Sequence, residues 1–200
     1  MSRLQKQIDF CQEIDQEKGI ERKTLTLKGE RFENDAEHAW HAALMAILLQ
    51  EHANEEIDLL KTVTMLLIHD LVEIDAGDTY AYDEKGQENH YEKEYKAAKR
   101  IYGLLPEDQK EYLMGLWEEF EAQKTPEARF ARTIDNFQPT MLNHASKGEM
   151  WKRNQIKLSQ VLKRNEPSKH GSQVLWDYSY QNFIEPHLNQ ELEDDTKKND

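Results

Sequence analysis

IDLLKTVTMLLIHDLVE, residues 57–73, places Ile57, Leu60, Val63, Leu67 and Leu71 at intervals of three and four. That spacing makes one broad apolar stripe along a helix and has no strand reading. The run ends on two residues that do not suit its end. A carboxylate near a helix C-terminus faces the negative end of the macrodipole, and an ionised group beside an apolar face carries a desolvation cost. His69-Asp70 therefore calls for a positive partner, either a Lys or Arg or a metal ion, for which neutral imidazole and carboxylate are suitable ligands.

The flanking segments also read as helices, and no run alternates for long enough to build a sheet. A first helix is expected over residues 2–18, closed by Gly19, followed by an irregular connection over residues 20–34. Asn34 with Glu37 three residues later resembles a capping box, so a second helix starts at Asp35, runs to about Ala53 and carries His38 in its first turn. After the third helix comes a polar loop, Asp75 to Gln87. Tyr91, Tyr95, Ala98 and Ile101 mark a fourth helix; Leu113, Leu116, Trp117 and Phe120 mark a fifth. Thr125-Pro126-Glu127 is a cap, an N1 proline and a first-turn acid in series, opening a sixth through Ala128, Ala131, Ile134 and Asp135. Weaker patterns follow at 154–163 and 172–185. The fold expected is a single all-α domain over residues 1–189, with a polar, disordered tail over 190–200.

Lys and Arg number 26 against 39 Asp and Glu, a net charge of −13, which disfavours general attraction to DNA, RNA or anionic membrane. No apolar stretch approaches the roughly 20 residues that span a bilayer. A cytoplasmic protein is expected. The single cysteine, Cys11, rules out an internal disulfide and a cysteine-based zinc cage. With Leu4, Ile8 and Ile14 it reads as a core thiol.

Asp135 repeats the anomaly of Asp70, following Ala128, Ala131 and Ile134 on a helix whose polar face lies elsewhere. His38 falls in line with Ala42, Met45 and Leu49 and so points inward. Taken singly, each fits an ordinary core histidine or ion-paired aspartate. Taken together, two imidazoles and two carboxylates projecting from three helices form a mixed N/O set suited to one Mn²⁺, Fe²⁺, Co²⁺ or Zn²⁺ ion, with positions left for water and substrate. Glu73 lies four residues after His69, on the same face, where a carboxylate could orient an attacking water or take its proton. Asp78 follows Gly77 in a turn, within reach of a substrate hydroxyl.

Glu37-His38, His69-Asp70 and Asp135 resemble the H…HD…D signature of the HD-domain phosphohydrolases. That resemblance implies an all-helical bundle binding a divalent metal through His38, His69, Asp70 and Asp135. The wider pattern, Glu33-Asn34-x-Ala36-Glu37-His38 and His69-Asp70-x-x-Glu73-x-x-x-Gly77-Asp78, is similar to the 5′-deoxynucleotidases and their HD-domain-containing relatives, over residues 25–145. It implies that Glu73 assists the nucleophilic water, that Asp78 holds the sugar 3′-hydroxyl, and that the subunits form a homodimer. Bacterial members carry an Arg-Trp pair, which binds phosphate and excludes a ribose 2′-hydroxyl, where Lys23-Thr24 stand here, so the resemblance does not carry over a preference for deoxyribose. Arg31 and Lys28, just upstream of His38, are the candidates for phosphate contact, because a guanidinium binds phosphate in bidentate fashion.

The function expected is metal-dependent release of phosphate from (deoxy)nucleoside 5′-monophosphates, with a small nucleotide rather than a polymer as partner. Two alternatives stand beside it: hydrolysis of a nucleoside triphosphate or cyclic nucleotide, and an idle HD-fold protein that binds a nucleotide or partner. A triphosphate site should need more cations than Arg31 and Lys28.

Overall fold

A computed structural model describes residues 1–83 and 89–196 of the chain. Helices α1 (Arg3–Glu13), α2 (Asp35–Leu49), α3 (Leu59–Ile68), α4 (Glu73–Ala76), α5 (His90–Tyr102), α6 (Glu107–Ala122), α7 (Pro126–Ala145), α8 (Glu149–Arg153), α9 (Leu158–Asn165) and α10 (Gln173–Ser179) make up the domain, with short 3₁₀ turns between several of them. The expected all-α bundle is what forms.

The local signals act where the sequence places them. Asn34 and Glu37 exchange side-chain-to-backbone hydrogen bonds in a capping box and fix the start of α2. Thr125 caps the backbone N–H of Ala128, with Pro126 opening α7. Asp58 caps α3 at Lys61. The face that α3 buries is Thr62, Met65, Leu66 and Ile68, not the expected stripe, whose Leu60 and Leu67 are exposed; after Ile68 the chain tightens into a 3₁₀ turn over His69–Val72. Gly77, with φ of 75°, ends α4; a side chain there would be strained.

The connection expected over residues 20–34 is instead a small antiparallel hairpin of β1 (Glu21–Leu25) and β2 (Phe32–Asn34), pairing Glu21 with Asn34 and Leu25 with Phe32. Strands of five and three residues are too short to show periodicity in the sequence. α7 runs through the middle of the bundle against α2, α3, α6 and α10. Its buried Phe130, Ile134 and Phe137 join Met65, Leu66, Ile101, Tyr102, Trp117 and Phe120 in the main core.

A second cluster gathers Trp151, Ile156, Val161, Ile184 and Leu192. It corrects the expectation for the tail. Leu192 is fully buried, the Leu158 N–H donates to Glu193 O at 2.9 Å, and Asp195 accepts from Ser159, so residues 190–196 are anchored by one apolar side chain among polar ones. Residues 197–200 of that tail, and part of the loop expected over 75–87, lie outside the described residues. Cys11 is exposed, not in the core, because α1 turns Phe10 inward and leaves Leu4 and Ile8 outside. No helix among the described residues is long and apolar enough to cross a membrane.

Candidate metal centre and active site

Three elements converge on one point. The capping box sets His38 in the first turn of α2, the turn after α3 carries His69 and Asp70, and α7 carries Asp135. His38 Nε2 lies 3.1 Å from Asp135 Oδ1. His69 Nε2 lies 3.4 Å from that same oxygen and 3.2 Å from Asp70 Oδ1, while Asp70 Oδ2 is 3.9 Å from His38 Nε2. His38, His69 and Asp135 each present a ligand atom within 4.8 Å of the others, and Asp70 reaches into the same space.

The hydrogen bonds behind the imidazoles fix which nitrogen faces that space. His69 Nδ1 is 3.0 Å from the Leu66 carbonyl, which can only accept, so Nδ1 carries the proton. Gln138 Nε2 donates to Glu33 at 2.6 Å, leaving Gln138 Oε1 to accept from His38 Nδ1 at 3.0 Å. In the neutral imidazoles that a metal requires, both Nε2 lone pairs then point at carboxylate oxygens, and among the described residues His69 Nε2 has no hydrogen-bond partner. Acceptors facing acceptors need positive charge between them, and Nδ1–H bonds to outer groups are the usual way of orienting metal-ligating histidines. The residues fit a divalent transition metal held by two nitrogens and carboxylate oxygens.

Titration follows the same field. Burial opposes protonation of His69, but Asp70 and Asp135 outweigh it and push the imidazole up to about 9. Burial likewise opposes ionisation of Asp135, yet His38, His69 and Arg132 hold its carboxyl well below the usual range. Arg132 donates to Asp135 Oδ2 at 3.1 Å and to Glu121 at 2.9 Å, its guanidinium over the Phe120 ring, and Phe120 in turn packs against His69 with ring centroids 4.7 Å apart.

Asp70 also has the basic partner its position called for. Arg22, on β1, donates from Nη1 to Asp70 Oδ2 at 2.7 Å and to Asp35 Oδ1 at 3.0 Å. Of the two partners that His69-Asp70 called for, the basic one is Arg22, at Oδ2, and Oδ1 is left facing His69 Nε2.

A cavity of about 370 Å³ opens over this centre, lined by His69, Asp70 and Asp135 together with Glu73 and Asp78. Glu73 is buried; burial, then the charges of Asp70 and Asp35, raise its carboxyl well above the ordinary value. Asp78 is also raised, by burial first. Six of the eight residues singled out in the sequence therefore meet at one place.

Arg31 and Lys28 do not. The hairpin turn carries them away from the cavity, where Arg31 is exposed and binds Glu37 through two bonds of 2.7 and 2.6 Å and Lys28 is exposed. Among the described residues, the cations on the cavity wall are Arg22, Lys23, Arg132, Lys163 and Arg164. The sequence reading missed Arg22, Asp35, Arg132, Gln138 and Arg164. The one signal was the Lys23-Thr24 position, one residue from Arg22.

The HD domain profile matches residues 14–176. This chain belongs to the HD domain family. A 5′-deoxynucleotidase HDDC2 from Bos taurus is 35% identical over 118 residues, 58% of this chain and 55% of that protein. The protein of the same name from Homo sapiens is 33% identical over 120 residues, 60% and 56% of the two chains. The match spans little more than half the length of these relatives. A crystal structure of a "predicted metal-dependent phosphohydrolase" from Magnetospirillum magnetotacticum MS-1 is 43% identical, covers 96% of each chain and superposes with a TM-score of 0.90.

Proposed function

We propose that this HD-domain chain is a divalent-metal-dependent phosphohydrolase releasing phosphate from (deoxy)nucleoside 5′-monophosphates. The observation that carries the reading is the convergence of two Nε2 lone pairs and the Asp135 and Asp70 oxygens on the wall of a cavity that also holds Glu73 and Asp78. His38, His69, Asp70 and Asp135 would hold one ion, Mn, Fe, Co or Zn. Such an ion supplies Lewis-acid polarisation of a phosphoryl oxygen and acidification of water.

The rest falls to the protein. Glu73 takes the proton of the attacking water, the water oxygen forms its bond to phosphorus as the P–O5′ bond breaks, and the protonated Glu73 returns that proton to the departing O5′. Asp78 accepts a hydrogen bond from the sugar 3′-hydroxyl. Lys23 and Arg164, on the cavity wall, replace Arg31 and Lys28 as the groups for phosphate. Lys23 stands on the wall where bacterial relatives were expected to carry Arg, and Thr24 is not among the lining residues, so both ribose and deoxyribose are candidates.

The five wall cations among the described residues also suit a di- or triphosphate better than the two expected from sequence. Arg22 is engaged by Asp35 and Asp70 and Arg132 by Glu121 and Asp135, which favours the monophosphate. A homodimer belongs to the proposal, supported by Trp40, Leu44, Ile47 and Leu48, which are exposed on one side of α2 and form an apolar stripe of the kind that pairs. A net charge of −13 supports a small nucleotide over a nucleic acid, and a single cysteine supports a cytoplasmic setting. Phosphate release by metal-reconstituted protein, compared across ribo- and deoxynucleoside mono-, di- and triphosphates, tests the reading. The expected result is turnover confined to monophosphates, and a preference for triphosphates would replace it.

A further inference from the structure

Asp35 opens α2 three residues before His38, and it is fully buried although charged. An ordinary first-turn acid sits at the surface, where it meets the helix dipole. Asp35 instead accepts from Arg22 through Oδ1 and shares a side-chain hydrogen bond with Glu73. Neither Asp35 Oδ2 nor Glu73 Oε2 meets an N–H or O–H donor among the described residues. Two buried carboxyl groups in contact hold together through a proton on one of them.

We propose that Asp35 is a positioning residue, which holds the Glu73 carboxyl toward the cavity and, through Arg22, ties it to Asp70. This rests on the reading of Glu73 as the group that takes the proton of water. The connection joins α2, β1, the turn after α3 and the start of α4, and so fixes the base relative to a metal ligand. The charged groups around the pair are Arg22 from β1, Asp70 and Asp78 from the segment after α3, and Glu17 before β1. Burial, then Asp70, pushes Asp35 up to about 6, with Arg22 opposing, as expected for acids crowded on one arginine.

The test compares Asp35→Ala and Asp35→Asn with the wild-type chain, all manganese-loaded, by phosphate release from 2′-deoxyadenosine 5′-monophosphate across pH and by metal content. The alanine variant should keep its metal and lose kcat by about 10- to 100-fold, the scale of a misplaced group, with KM nearly unchanged. The asparagine variant can still donate to Glu73 but lacks the negative charge that disfavours Glu73 ionisation. It should recover most of kcat with the acid limb of the kcat profile moved down by about one unit. An acid limb that overlays the wild type, or a loss in the alanine variant that tracks lost metal or a raised KM, overturns the proposal. A wild-type protein that turns over none of the monophosphates while hydrolysing another phosphate ester overturns the monophosphate reading alone, and the same comparison on that ester then decides the role of Asp35.

Discussion

Arg22 and Asp70 are 48 residues apart in sequence and 2.7 Å apart in the fold, which ties the hairpin to the metal centre. Arg22 is nearly buried and serves Asp35 as well, with Glu33 Oε2 3.8 Å from its Nε. Replacing Arg22 with Met removes a cation that these acids share. The expected cost to the metal-free protein is about 3 kcal/mol or more, the scale for breaking a buried ion pair. Added divalent metal should restore part of it, since the ion supplies positive charge to Asp70. Thermal melts with and without metal measure both effects; a variant that melts with the wild type would make Arg22 dispensable.

Asp135→Ala should abolish phosphate release and metal retention while circular dichroism stays helical. Asp135 faces both histidines and is bonded to Arg132, with Arg164 3.6 Å away, so the variant also leaves buried positive charge unpaired and should melt at lower temperature. Metal-dependent turnover in this variant would remove Asp135 from the centre.

Glu73 supplies the cleanest separation of chemistry from binding. Glu73→Gln keeps the shape but cannot take a proton, so metal content should stay near wild type while kcat falls by roughly 10²- to 10⁴-fold. Metal analysis beside initial rates checks it: lost metal would make Glu73 a ligand, and undiminished turnover would make it a structural acid.

Glu17 gives a pH prediction. Burial first, then Asp70 and Asp35, push its carboxyl up from 4.5 to about 7. Between those values the folded state holds the proton that the unfolded chain has released, so the stability Glu17 contributes is present below 4.5 and is lost as pH rises through 7. Glu17→Gln should therefore raise the Tm of the metal-free protein at pH 8, and the gain should shrink to nothing near pH 4.5. A gain independent of pH would point to packing instead.

His69, Asp70 and Asp135 were legible because each interrupts an apolar helical face, and a polar group there must have a partner. His38 was legible through its capping box, which fixed the phase of α2. Arg22 was not, since its value depends on a hairpin whose second strand has three residues and on partners far away in sequence. Arg31 misled for a related reason. It is near His38 along the chain, but Glu37, needed for the cap, also takes its guanidinium. Leu192 escaped because one buried leucine in a polar segment carries no periodicity.

Metal content and phosphate release, measured on the same sample before chelation, after chelation, and after addition of Mn²⁺, Fe²⁺, Co²⁺ or Zn²⁺, decide whether the centre works through a bound ion. The expected result is one tightly held ion per chain, loss of turnover on its removal, and return of nucleoside 5′-monophosphate hydrolysis with one equivalent of a suitable ion. Full turnover in the metal-free protein, or one ion bound with no phosphate released from any nucleotide, would contradict it.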